Sequence, residues 1–294
     1  MKTQKLEISG IPALLYGEES RKVYLYVHGK NGSAAEAARF ARTACPAGWQ
    51  VLAVDLPEHG TRKNSPEKLV PWVVTRELQT VYARMQPVWK HIRVYGVSIG
   101  AWFAMQALQT QKPEKALLVS PVVDMEKLIL ALMQQAGVTE EQLHAAGEIP
   151  TDFGKTLSWP YLCWVREHPL HWKVPTQVLY ADTDPLTGHT AMERFRQQTG
   201  AHLTILEGGE HWFHTEEQMQ FLNHIGLGLR SLDAHIAHIL QFAVLCSRQS
   251  NDLHSLSVCG CRRKQHIFTV TTGGNAKEHI PRFTVTIDLL CEAE

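Results

Sequence analysis

Net charge is the first thing this chain lacks. Its 29 lysines and arginines balance 29 aspartates and glutamates, for a formal charge of +0 at pH 7. No long-range field therefore draws it to nucleic acid or to an anionic membrane, and neither is expected as a partner. Missing too is any apolar run near the roughly 20 residues that a membrane-spanning helix needs. The opening residues, Met1-Lys2-Thr3-Gln4-Lys5-Leu6-Glu7, have neither the apolar core nor the cleavage site of a secretory signal. Cysteines number six and are scattered, which suits free thiols in a reducing compartment, so the expected location is cytoplasmic. Paired zinc-ligand spacing is absent as well. Cys259-Gly260-Cys261 is only C-x-C, and even with His254 or His266 nearby no metal is expected.

What is present is ordinary in amount and regular in order. Hydrophobic residues make up 44% of the 294 positions and charged residues 20%, enough for one large core or a core plus an appendage. A hairpin is expected over Leu6 to Tyr16. Strands and helices then take turns: strand 23–27, helix 34–44, strand 50–54, helix about 66–90, strand 92–96, helix 98–110, strand 115–119. Such alternation predicts an α/β fold with a mostly parallel sheet and helices on both faces.

The alternation stops between Ser120 and Lys173. That stretch carries the helix-like run Met125 to Met133, then Trp159, Tyr161, Trp164 and Trp172, with no sheet pattern. An insertion of this length between two strands reads as a helical cap, residues 121–172, and Trp159 and Trp164 are its candidate pocket walls. A pair of ordinary packing helices is the alternative. Asp124, Glu126 and Lys127 read as solvent-facing.

Gly96-Val97-Ser98-Ile99-Gly100 is the most informative segment. Strand-like Ile92-Arg93-Val94-Tyr95 precedes it and helix-like Ala101 to Leu108 follows. A G-x-S-x-G that joins strand to helix is a nucleophile elbow, in which the turn lifts the serine hydroxyl above the sheet. The alternative role for Ser98 is an ordinary helix N-cap. A serine nucleophile needs a base, and the base an orienting acid. Strand-like Thr176 to Ala181 runs into Asp182-Thr183-Asp184-Pro185, and strand-like Leu203 to Leu206 runs into Glu207-Gly208-Gly209-Glu210-His211. The chain order Ser98, Asp184, His211 is the one this elbow requires. Asp182 competes with Asp184, and His214 lies three residues from His211. Two backbone donors complete the set: the N–H of Ile99, directly after the nucleophile, and that of Lys30, in the loop His28-Gly29-Lys30-Asn31-Gly32-Ser33 after the first apolar strand. His28 reads as a strut for that loop rather than a second base.

These pieces, with Asp55-Leu56-Pro57-Glu58-His59-Gly60, resemble the α/β-hydrolase superfamily, of the bacterial serine esterase and monoacylglycerol-lipase-like kind. The resemblance spans about residues 20 to 228 and is far more specific for fold than for substrate. It implies an enzyme that hydrolyses a small-molecule carboxylic ester through a Ser-His-Asp acyl-enzyme, with no cofactor. A thioesterase or small-amide hydrolase with the same triad is an alternative, and so is a non-catalytic binding protein of this fold. Glu58 departs from the family, which more usually has glycine there, and leaves the local geometry open.

The organisation expected is a hydrolase domain over residues 1–230 and a C-terminal extension over 231–294. A capping box at Thr215 to Gln218 opens a helix that would close the domain. Beyond it come a helix-like segment, Ser231 to Leu245, four of the six cysteines, and two alternating stretches at 268–272 and 283–287 that could pair with each other. Sequence leaves the oligomeric state open.

Overall fold

The computed structural model describes residues 1–184, 186, 188–207, 209 and 211, together with the backbone of two short strands, Ser255–Cys259 and Ile267–Thr271. By contacts the chain divides into two units: Met1–Thr176 with Leu186–Ala201, and a second that begins as Gln177–Pro185 and resumes at His202.

The first unit opens with β1 (Thr3–Ile8) and β2 (Ile11–Tyr16), the expected antiparallel hairpin. There follow β3 (Lys22–Val27), α1 (Ala37–Ala44), β4 (Gln50–Val54), α2 (Pro71–Met85), β5 (His91–Val97), α3 (Ile99–Leu108) and β6 (Ala116–Val119). The strands lie in the order β1-β2-β4-β3-β5-β6. β3 pairs in parallel with both β4 and β5, and β5 in parallel with β6; β2 meets β4 antiparallel. Val23 to Val27 and Val51 to Val54 are buried throughout, as befits strands covered on both faces.

Helix positions follow from local chemistry. α2 is shorter than the expected 66–90, because Pro71 has no N–H to donate and takes the first helical turn. Its buried Val74, Leu78, Val81 and Met85 form one stripe, the ordinary face of a helix packed on a sheet. α3 is buried along nearly its whole length from Gly100 to Leu108, so it has no polar face to show.

After β6 the insertion consists of α4 (Met125–Ala136), α5 (Glu140–Ala146), β7 (Glu148–Pro150), β8 (Thr156–Ser158) and α6 (Trp159–Glu167). Asp124 caps α4 by accepting from the Lys127 N–H at 3.0 Å, and Gly137 ends the helix with a left-handed φ of 65°. Thr139 and Gln142 form a reciprocal capping box on α5. Arg166 on α6 bonds Glu126 of α4 and both carboxylate oxygens of Glu140 on α5, each at 2.7 Å, and so links the three helices. The region is helical as expected, with one correction: β7 and β8 form a two-stranded antiparallel hairpin.

α7 (His189–Thr199) completes the first unit. In the second unit β9 (Thr176–Ala181, which starts at the boundary) and β10 (His202–Leu206) pair in parallel. Further along, β11 (Ser255–Cys259) and β12 (Ile267–Thr271) form an antiparallel pair. The stretch read at 268–272 thus pairs with 255–259; the other alternating stretch, 283–287, lies outside the described residues. So do the residues after Thr215 where a capped helix is expected, the segment Ser231 to Leu245, and His214. No helix among the described residues is long and apolar enough to cross a membrane.

Candidate active site

β5 ends at Val97 and α3 begins at Ile99, which leaves Ser98 alone between strand and helix. Its backbone sits at φ 50°, ψ −123°, a conformation an L-residue adopts only at a cost of order 1–3 kcal/mol. The flanking glycines are there for contact. A Cβ on Gly96 would lie 2.6 Å from the Ala101 Cα, and one on Gly100 would overlap the His28 carbonyl. Ser98 stands at the N-cap position of α3, yet its side chain makes no capping hydrogen bond. Main-chain bonds tie it to the next strand end: its N–H donates to the Val119 carbonyl at 2.9 Å, and its carbonyl accepts from the Val122 N–H at 3.2 Å. The residue is 4% exposed.

The loop after β3 packs against this turn. A Cβ on Gly29 would lie 3.2 Å from the Ser98 Cβ, so the chain at His28 to Lys30 passes directly beside the serine. His28 is fully buried and both its ring nitrogens are used. Nε2 accepts from the Leu56 N–H at 3.0 Å, which requires Nδ1 to be the protonated nitrogen, and Nδ1 donates to the Gly29 carbonyl at 2.7 Å. Burial pushes this imidazole down to about 4; the Gly29 bond opposes that push and neighbouring His59 adds to it. His28 is thus a neutral strut, as expected of it.

Asp55 fixes the same loop from the other side. Its Oδ1 accepts from the Ala34 N–H at 2.7 Å, and its Oδ2 from the Thr61 N–H and hydroxyl at 2.9 and 2.7 Å. Burial alone would raise this carboxyl, but the three donors outweigh it and hold it below the usual range. Glu58, where glycine is more usual, takes the backbone conformation glycine would supply, with φ at 64°. Its side chain then accepts from the Leu69 N–H at 3.0 Å and from Lys68 Nζ at 3.2 Å. Lys30 is held below the usual ammonium range by desolvation first and then by the like charge of Lys155, with Glu58 opposing.

The acidic loop follows β9. Asp184 is buried, while Asp182 is exposed. Asp184 Oδ2 accepts from His211 Nδ1 at 2.7 Å, and His211 is buried as well. A carboxylate can only accept, so Nδ1 carries the proton and Nε2 of the neutral ring keeps a lone pair. The Asp184 N–H donates to the Ala181 carbonyl at 3.2 Å, and the Thr183 hydroxyl bonds the Gly209 carbonyl.

The chain matches the model of the alpha/beta hydrolase family over residues 25–224. It belongs to that family. Solved structures agree at the level of fold. A ferulic acid complex of Est1E from Butyrivibrio proteoclasticus is 16% identical with a TM-score of 0.60, over 76% of this chain and 96% of that one. Mouse alpha/beta hydrolase domain-containing protein 10 is 12% identical with a TM-score of 0.58, over 81% and 100%. The thioesterase domain of the curacin biosynthetic pathway is 19% identical with a TM-score of 0.50, over 77% and 99%. No curated protein matches the chain.

Two aromatic positions of the hydrolase singled out in the sequence lie on α6. Trp164 meets Trp102 edge-on at 6.0 Å and stacks on His168 at 4.1 Å; Trp159 packs against His144 at 4.7 Å. Sequence reading missed the Asp55 bonds and the buried Arg62, whose guanidinium forms a two-pronged pair with Glu77 at 2.7 Å. The Asp-x-Pro-x-His-Gly segment marked the place, but nothing in it named the partners.

Proposed function

We propose that this hydrolase cleaves carboxylic esters by double displacement. Ser98 Oγ attacks the acyl carbonyl while His211 Nε2 takes its proton. The carbonyl π electrons move to oxygen, and that oxyanion is received by the N–H groups of Ile99 and Lys30. Collapse of the intermediate breaks the bond to the alkoxide oxygen, to which His211 gives its proton, so that the group leaves as the alcohol. Water, giving a proton to His211, then attacks the acyl-enzyme; the second intermediate collapses to release the acid, and His211 returns the proton to the departing Ser98 Oγ. Asp184 holds the imidazole in the tautomer this sequence needs. No metal or organic cofactor enters the scheme.

The observation that carries the reading is the strained backbone of Ser98 at a strand-to-helix turn whose glycines admit no side chain. Three others support it. The buried Asp184–His211 bond presents Nε2 as a base. Ile99 is the first residue of α3, and such an N–H has no acceptor within its helix. Gly29 beside Ser98 brings the Lys30 peptide to the same turn. Trp164, resting on Trp102 one helical turn beyond the nucleophile, suits an aromatic wall on the acyl side, with Trp159 beside it on α6. The location proposed is the cytoplasm.

Nitrophenyl esters graded by chain length test the proposal and report the acyl preference together. Ser98→Ala should fold normally and lose about six orders of magnitude in kcat. Asp184→Asn should lose about four, because the wrong tautomer is favoured, while Asp182→Asn stays near wild type. Near-wild-type turnover by folded Ser98→Ala would remove the nucleophile, and the reverse ranking of the aspartates would move the acid.

A further inference from the structure

Ser120 is a buried polar group that the scheme above does not use. It follows β6 directly, is 1% exposed, and its Oγ has no hydrogen-bond partner among the described residues. Its backbone is also strained, with φ at 42° immediately before Pro121. An unpartnered buried hydroxyl and a left-handed non-glycine residue are each unfavourable, and strain of this kind gathers at functional sites.

Its position gives the reason. The Ser98 N–H donates to the carbonyl of Val119, and the Ser98 carbonyl accepts from the N–H of Val122. Both main-chain groups of the serine are therefore bonded to the turn whose tip is Ser120 and Pro121. From Val119 to Val123 the turn reads Val-Ser-Pro-Val-Val, so Ser120 supplies its only polar side chain. The next polar residue, Asp124, is engaged as the cap of α4.

We propose that Ser120 determines specificity: its hydroxyl bonds a hydroxyl substituent within two carbons of the scissile ester group. This rests on the assignment of Ser98 as nucleophile. The chemistry recognised is a hydroxyl close to the ester group, carried by the acyl part or by the alcohol part. Hydrogen bonding to that substituent gives the Ser120 hydroxyl, unpartnered among the described residues, its partner in the complex.

Two pairs of near-isosteric esters separate these sources. Ethyl isobutyrate against ethyl 2-hydroxypropanoate probes the acyl side, and propyl acetate against 2-hydroxyethyl acetate probes the alcohol side. The intact protein should favour the hydroxylated member of one pair by about tenfold in kcat/KM, the effect of one neutral hydrogen bond. Ser120→Ala, which keeps the backbone strain and removes only the hydroxyl, should bring that ratio near one without lowering the melting temperature. A ratio that Ser120→Ala leaves unchanged, or an equal loss on all four esters, overturns the proposal. So does a clear fall in melting temperature, which would mean that the hydroxyl is already used in the free protein. Failure of the intact protein to turn over any ester overturns the nucleophile assignment as well, and is thereby distinguished from failure of the Ser120 role alone.

Discussion

His28 shows how much one buried side chain settles at this site. It could have been a second base, but both nitrogens are committed and its imidazole titrates near 4 rather than at the ordinary 6.5. The unfolded chain therefore takes up this proton at about pH 6.5, while the native chain resists until about pH 4. Stability is fully present above 6.5 and falls as pH drops through this window, by about 3 kcal/mol in all. Urea unfolding between pH 4 and 7 should show that slope, and His28→Gln should flatten it. An unchanged slope in the variant would mean that other groups carry it. At the same scale, Glu58 stands where glycine is usual, with glycine's backbone conformation, and turns its carboxylate into a tie to Leu69 and Lys68.

Between elements, the bonds that matter run from the loop after β3 to the loop after β4. Asp55 and His28 cross-link them, so the Lys30 peptide is held from two directions. Asp55→Ala would leave the Ala34 N–H buried without its acceptor and free Thr61. Unfolding free energy should fall by roughly 2–3 kcal/mol in denaturant titration. Ester turnover should fall beyond what the fraction unfolded explains. A variant as stable as wild type would show that the loop is held by other contacts. The elements themselves were largely legible in the sequence. β3, β4 and β5 announce themselves as apolar runs between turns, and the strand-turn-helix around Ser98 could be placed to within a residue. The β7–β8 hairpin could not, since each strand has three residues and one inward apolar group, too few for alternation to register. Nor could Ser120, whose signal is a dihedral angle and a hydroxyl without a partner among the described residues, properties that no residue pattern records. Asp184 was separable from Asp182 only as a preference, because burial of a loop carboxylate depends on contacts distant in sequence.

Over the whole molecule, the family match at 25–224 takes in Ser98, Asp184, His211 and the Lys30 loop, so the chemistry proposed draws on nothing beyond it. The proposal asks residues from distant parts of this stretch to act on one bond, and that is its central claim. An alkyl fluorophosphonate tests it most directly, because an activated serine displaces fluoride and keeps the phosphonyl group. The adduct should map by mass spectrometry to the peptide containing Ser98, vanish in Ser98→Ala, and form at least a hundredfold more slowly in His211→Ala. Labelling of another residue, or equal rates with and without His211, would contradict the account.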